Sequence, residues 1–339
     1  MKLKINNNTV QFFSSFHLDL NFDAVASSFS FNVRFDPDNQ IDTDLFKPLS
    51  FPRVEVWTDD DRLLLTGVIV NHNFTSSAIK NLVRISGYSL GGVLEDCNIP
   101  YTEYPLESLK RSLKDIASKL LGIFDLTMII DKSAQRDMDL QYEKTIASPG
   151  ESIKGYLAKL AAQRNIVLSH NSKGDIIFFK PSFSASPVFS FNSSNAVTMA
   201  LAVKGQGFQS KLWVLRQPSK RNKGLTPVDV LNNPLIGAFR PGVKVLSSGT
   251  DTDTAKAVKN VMSAQIKNVS LTIMLQSWFI IIPGDVIHVK NEELFLFEET
   301  KFVASKVSYR QDEANQSMQL TLVLPEAYTG EEPQLIFDI

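Results

Sequence analysis

The stretch SFSFNVRF, residues 28–35, decides the fold class. In an extended chain Phe29, Phe31, Val33 and Phe35 fall on one side, and Ser28, Ser30, Asn32 and Arg34 on the other. Side chains of a strand point alternately to two faces, so this period of two predicts a strand with one face on an apolar core. Aromatic and β-branched residues favour such a half-buried pleat. Outward from it the pattern recurs. The Asp-rich segment DPDNQIDTD (36–44) predicts a loop, and RVEVW (53–57), after Pro52, a second strand. Asp59, Asp60 and Asp61 turn the chain into LLLTGVIV (63–70), and a polar turn over 73–80 leads to LVRISGY (82–88). Together these segments predict an antiparallel meander, half of a small barrel or sandwich.

Bulk composition agrees. Of 339 residues, 43% are hydrophobic and 21% charged, ordinary for a globular protein, and the length argues for two to three domains. Phe is over-used, with 23 Phe against 7 Tyr and 3 Trp, and many lie in alternating runs. The formal net charge of −1 gives no global basic field to attract nucleic acid or an anionic membrane. The lone Cys97 excludes an internal disulfide scaffold and suits folding in a reducing cytosol. The start, MKLKINNNTVQFF, lacks the apolar core of a signal peptide, and no apolar run approaches the roughly 18–20 residues of a membrane helix. Membrane insertion is not expected.

Beyond residue 90 the period changes. PLESLKRSLKDIASKLL (105–121) carries Leu106, Leu109, Leu113, Ile116, Ala117 and Leu120 at spacings of three and four, which predicts an amphipathic helix ending near Gly122. FDLTMII (124–130) reads as a strand. A second helix is expected with Ser148 as N-cap, Pro149 at its first position and Glu151 closing a capping box, its stripe formed by Ile153, Tyr156, Leu157, Leu160 and Ala161. IVLSH and DIIFFK flank a hairpin turn at Asn171–Gly174. Further on, KLWVLR (211–216) is a strand, 217–241 a long Pro-rich loop, and Asp251 or Thr252 caps a helix running to about Lys267. VSLTIML (269–275), FIII (279–282), DVIHV (285–289), KFVASKVSY (301–309) and MQLTLVL (318–324) follow as strands. The fold class is therefore a β-rich α+β protein: two tube-like antiparallel β-barrel or sandwich domains, 1–94 and 183–339, with a small α/β module inserted at 95–182.

The two β regions share an order of features. FSFNVRF, a proline, VEVW, LLLTGVIV, a polar turn and LVRISGY are matched by VSLTIML, Pro283, DVIHV, FVASKVSY, the polar turn QDEANQ and MQLTLVL. One chain would then hold two copies of a barrel-like unit, and three chains six, a number able to dock onto a sixfold partner.

The same residues resemble a family. VRISGYSLGGVLEDC (83–97) is similar to the junction motif of baseplate hub proteins of bacteriophage Mu and related contractile tails, where a strand ending Ser-Gly leads through a leucine-bearing segment to Asp-Cys. ASPGESIKGYLAKLAAQRNIVLSHNSKGDIIFFKP (147–181), HLDLNFDAVASSFSF (17–31) and PRVEVWTDDDRLLLTGVI (52–69) resemble the corresponding parts of those hubs in the same order. The likeness covers most of 15–182 and, more loosely, 269–325; the 217–241 loop does not align. It implies a homotrimeric ring closing the distal end of the tail tube, holding the central spike below and meeting the tube or its adaptor above. DNA or a tape-measure protein would pass through the lumen. Hubs of this superfamily, including those of type VI secretion, play the same role without catalysis in this part of the chain. The alternatives are a cell-wall-active tail protein, either a peptidoglycan hydrolase or a carbohydrate binder, and the hub-like part of a siphophage tail-tip protein.

Chemical sites find little support, and no catalytic residue, cofactor or metal ligand is expected. Asp36, Asp38, Asp42 and Asp44 loosely mimic a calcium loop, but Ile41 and Lys47 stand where an EF-hand needs Gly and a bidentate Glu. His17, His72, His170 and His288 do not pair with another His or Cys at ligand spacing. Gly205-Gln206-Gly207 is followed by a strand rather than a helix, unlike a dinucleotide fingerprint. No GxSxG occurs, and Cys97 sits in an apolar turn. The basic cluster Lys220, Arg221, Lys223 and Arg240 reads as an inter-subunit arm, with contact to passing DNA as the other reading.

Overall fold

The computed structural model describes residues 1–10, 12–76, 82–103, 107–216, 224–246 and 254–337. The first unit is built from β1 (Lys2–Ile5), β2 (Asn8–Val10), β3 (Phe13–Asn21), β4 (Ser28–Arg34), the short helix α1 (Gln40–Leu45), β5 (Arg53–Trp57), β6 (Leu63–Thr75) and β7 (Leu82–Ser89). In β4 the alternation is realised as read: Phe29, Phe31 and Val33 are buried and Ser28 and Arg34 exposed. The Asp-rich loop is partly helical instead, because the Asn39 side chain accepts the Ile41 N–H and starts α1.

The module holds α2 (Val93–Asp96), β8 (Glu107–Ser112), α3 (Leu113–Gly122), β9 (Met128–Ile130), α4 (Gln135–Asp139), β10 (Gln141–Ile146), α5 (Ile153–Ala162), β11 (Val167–His170) and β12 (Ile176–Phe179). Both long helices start later than the sequence pattern suggests. Ser112 and Asp115 form a reciprocal capping box that begins α3. The residues before it pair with β10 as strand β8, leaving Leu109 60% exposed, while Leu106 lies outside the described residues. Likewise Ser148 and Glu151 make a turn, with Glu151 accepting the Ser148 N–H at 2.9 Å, and Ser152 caps α5 by accepting the Gly155 N–H. Gly150, at φ +78, takes the chain out of helical geometry between them. FDLTMII is a strand only over its last three residues, where β9 runs parallel to β12. The β11–β12 hairpin stands where it was read, its turn closed by Gly174 at φ +87.

The second unit comprises β13 (Phe189–Phe191), β14 (Thr198–Val203), β15 (Lys211–Arg216), β16 (Thr226–Asn232), β17 (Pro241–Leu246), α6 (Thr254–Ile266), β18 (Val269–Leu275), β19 (Val286–Asn291), β20 (Leu296–Gln311), β21 (Gln316–Val323) and α7 (Glu326–Thr329). The Pro-rich 217–241 segment is not all loop, since β16 pairs antiparallel with β15. Residues 217–223, with Lys220, Arg221 and Lys223, lie outside the described residues, as do the expected caps Asp251 and Thr252. FIII (279–282) forms no strand; Pro283 and Gly284 lead it into a turn.

The repeat seen in sequence is a repeat of strand pairing. In the first unit β4 pairs with β7, β7 with β6 and β6 with β5. In the second β18 pairs with β21, β21 with β20 and β20 with β19. Even the irregularities match. The β6–β7 ladder shifts register between Ile69 and Asn71, and the β20–β21 ladder between Ala304 and Lys306. Each unit also has a preceding strand on its first member, β3 on β4 and β14 on β18. The units are fused: β3 pairs with the second half of β20, giving one sheet and one apolar core that runs from Leu3 to Tyr328. The module packs its own core around Leu113, Leu120, Tyr156, Leu157 and Phe178.

Candidate functional site

The contact between the two units carries a built polar site. Strand alternation sends Leu18 and Leu20 of β3 into the core beside Val307 and Tyr309 of β20. On the other face it sends Asp19 against Ser308, with His17 and Lys306 alongside. Asp19 accepts from Ser308 Oγ at 2.5 Å and from Lys306 Nζ at 2.9 Å, and His17 Nε2 lies 2.7 Å away. Burial opposes ionisation of Asp19, but the bonds from Ser308, Lys306 and His17 outweigh it and hold the carboxyl below its ordinary range. His17 and Asp19, two residues apart, fall on one strand face, whereas Lys306 and Ser308 come from almost the full chain away.

Each unit offers an edge at this kind of contact, and only one pair of edges is used within the chain. Among the described residues, the outer edge of β14 pairs with no strand, nor does the outer edge of β6 over Asn71–Thr75. Both carry uncovered apolar side chains: Phe74 is 41% exposed and Val203 49%. Open strand edges with apolar faces are templates for pairing with another chain.

Two clefts flank the module. One, of about 690 Å³, includes Ser169, His170, Asp131 and Arg62. His170 is fully engaged there: Nδ1–H donates to the Ala24 carbonyl at 2.8 Å, so Nε2 of the neutral ring accepts from the Ser27 hydroxyl at 2.9 Å. Burial lowers its pKa. These bonds tie the β11–β12 hairpin to the β3–β4 loop. The other cleft, of about 930 Å³, gathers His288, Glu298, Glu299, Lys301, Glu326 and Glu331. Burial raises Glu326 and the nearby Glu331 carboxylate adds to the effect. A raised carboxyl in a cleft with other acidic side chains is a feature that glycoside hydrolases also use.

The remaining residues singled out in sequence are dispersed. Asp36 and Asp42 accept backbone N–H groups at the start of α1 and Asp44 accepts from Gln40, so these carboxylates serve the turn. His72 stacks on Phe74, and His288 lies 3.3 Å from Glu299. Gly205–Gly207 is a single tight turn before β15. Arg240 Nε donates to the Phe208 carbonyl and its backbone N–H to Ser210 Oγ. Cys97 ends α2 and is half-buried. Among the described residues no group of three or more His, Cys, Asp or Glu could hold a metal ion, and no helix is long and apolar enough to cross a membrane.

Solved structures share the whole architecture. A tail protein of Neisseria meningitidis superposes with a TM-score of 0.78 at 19% identity, covering 97% of each chain. The 43 kDa tail protein of a Shewanella oneidensis prophage gives 0.77 at 18% identity, covering 96% of this chain and 99% of that one. An Escherichia coli component of the type VI secretion system, described as structurally similar to T4 bacteriophage tail proteins, gives 0.61 at 11%, covering 99% and 80%. No protein-family model matches the sequence, and no curated protein matches it significantly. The chain thus has the fold of phage tail proteins, β-rich with a few small helices. The Mu-type likeness, read on most of residues 15–182 and more loosely on 269–325, extends as a likeness of fold over nearly the full chain.

Proposed function

We propose that this protein is a structural hub of a phage-type tail baseplate, in which three copies form a ring that closes the tail tube. The observation that carries the reading is the doubled β unit, in which, among the described residues, the outer edges of β14 and of β6 over Asn71–Thr75 pair with no strand. Two units per chain times three chains give six similar units, the symmetry that a sixfold tube needs for docking. The fold shared with tail proteins supports the same role. In this reading residues 1–94 and 183–339 form the ring wall and 95–182 an outer module. The central spike attaches below, the tube or its adaptor above, and DNA or a tape-measure protein passes through the lumen. The protein is made in the host cytoplasm and works in the virion tail by binding, without catalysis. Light scattering on the purified protein tests this: a mass of three chains is expected, and a monomer at every concentration reached contradicts it.

A second reading, a cell-wall-active tail protein, is favoured by one observation, the raised Glu326 in the carboxylate-lined cleft. Incubation with peptidoglycan separates the two. The hub reading expects no released fragments; turnover that disappears in Glu326→Gln would establish the hydrolase instead.

A further inference from the structure

The inserted module meets the β units through a narrow joint. The chain enters the module after Ser89 and leaves it through Lys180 and Pro181, and between them it folds around a core of its own. Open clefts stand around the joint. Besides the two already described, a third of about 250 Å³ is lined in part by Asp23, Val25, Asn260 and Lys267. A body with its own core and open space beside it can open as a unit at lower free energy than the sheet it leans on.

What closes the joint is the β3–β4 loop, residues 22–27. Val25 leaves the large sheet and is buried in the module's core with Leu94 and Ile176. The fit is close, since a Cβ at Gly91 would lie 2.1 Å from the Val25 carbonyl oxygen. Two side chains of β11 hold the same loop, Ser169 through the Phe22 carbonyl and His170 through the Ala24 carbonyl and Ser27. Beyond the loop, Asn165 and Asn260 each reach a carbonyl across the joint, those of Thr329 and Ala162.

The His170 bonds need the neutral ring. Ser27 Oγ already accepts the Asn21 N–H at 3.0 Å, and its single proton goes to Nε2 of His170. A protonated Nε2 would turn that proton out of its bond, and Ser27, only 2% exposed, has no solvent to offer it to. The charged groups around the ring do not help an imidazolium. Asp23 of the loop pairs with Lys267 at 2.5 Å, and Asp175 of the hairpin accepts from Asn171 at 2.8 Å. Asp131 accepts the Ser133 N–H, and Lys180 pairs with Asp137. Arg62, in the same cleft, and Lys173, in the hairpin turn, are themselves cations.

We propose that loop 22–27 is a plug and His170 its proton-operated catch, so that protonation of His170 frees the module to swing away from the β units while the large sheet stays folded. Burial, opposed only by the Ala24 carbonyl, already disfavours the charged ring. The closed joint is therefore held above the ordinary histidine value of about 6.5 and weakens as pH falls below it. Between pH 7.5 and pH 5 the opening equilibrium rises by up to about thirtyfold, the factor by which a freed ring of pKa about 6.5 becomes protonated.

Hydrogen exchange of the full chain, read by mass spectrometry and corrected for the intrinsic effect of pH, tests this. At pH 5 peptides over 22–27 and 167–170 should exchange up to about thirtyfold faster than at pH 7.5, with β18 and β21 unchanged. His170→Gln keeps a neutral donor and acceptor and should remove the step. Gly91→Ala crowds the plug and should expose the joint at both pH values. Where His170→Gln does not fold, the ring Cε1–H resonance of His170 in the parent decides: its titration midpoint must coincide with that of the exchange step. Equal protection at the two pH values overturns the proposal. So does an acid step that persists in folded His170→Gln or that follows a midpoint other than the ring's. An acid step that spreads to β18 and β21 overturns it too, because the whole chain is then unfolding.

Discussion

Removing the carboxylate at the junction, by Asp19→Ala, tests how the two β units are held together. Three contacts converge on Asp19, which is only 16% exposed, but they are unequal. Lys306 and His17 are 39% and 34% exposed and remain hydrated when the carboxylate goes, so together they contribute about 0–1 kcal/mol. Ser308 is buried, and its hydroxyl loses an ionised acceptor, which costs about 1–3 kcal/mol. The expected loss at neutral pH is therefore about 1–4 kcal/mol. Because the folded-state pKa of Asp19 is depressed, this stability is present above the ordinary carboxylate value of about 3.9 and is lost as pH falls through the lower folded value. Parent and variant should thus differ fully at neutral pH and converge in acid. Urea unfolding followed by near-ultraviolet circular dichroism reads the difference. A double-mutant cycle with Ser308→Ala should return a coupling of about 1–2 kcal/mol. A variant within about 0.5 kcal/mol of the parent at neutral pH, or a gap unchanged into acid, would refute the reasoning.

Other substitutions probe the supporting structure. A Cβ at Gly87 would lie 1.9 Å from the Val68 carbonyl oxygen and 2.9 Å from the Phe29 ring, so Gly87→Ala should cost about 3 kcal/mol, measured by chemical denaturation. Arg164 is buried, donates from Nη1 to the Asp137 and Leu140 carbonyls at 2.5 and 2.6 Å and lies 3.6 Å over the Tyr142 ring. Arg164→Ala should destabilise the module by about 3–5 kcal/mol, seen as early proteolysis within 107–180 while the large sheet stays protected. His170 is held neutral, its pKa depressed by burial, so stability should fall as pH drops below about 6.5; His170→Gln should flatten that slope in thermal melts.

The sequence made legible what local pattern dictates. Period-two alternation marked β4, β5, β7, β18 and β21 because each has one face on the core and keeps polar residues on the other. The order of the repeat was legible for the same reason. The start of α3 was not: Leu106, Leu109 and Leu113 have helical spacing, yet the Ser112–Asp115 capping box and pairing of β8 with β10 override it. β14, reading TMALAV, gives a weak signal because it is an edge strand with small residues on its open face. The polar junction was half visible. His17 and Asp19 are two residues apart, but Lys306 and Ser308 join them only through a pairing 289 residues distant, which no local pattern encodes.

The central claim, a ring made of two like units per chain, is tested most directly by electron microscopy of the purified protein. The account predicts class averages with a central hole, threefold symmetry and six similar lobes. Compact particles without a channel, or rings whose symmetry is not threefold, would contradict it.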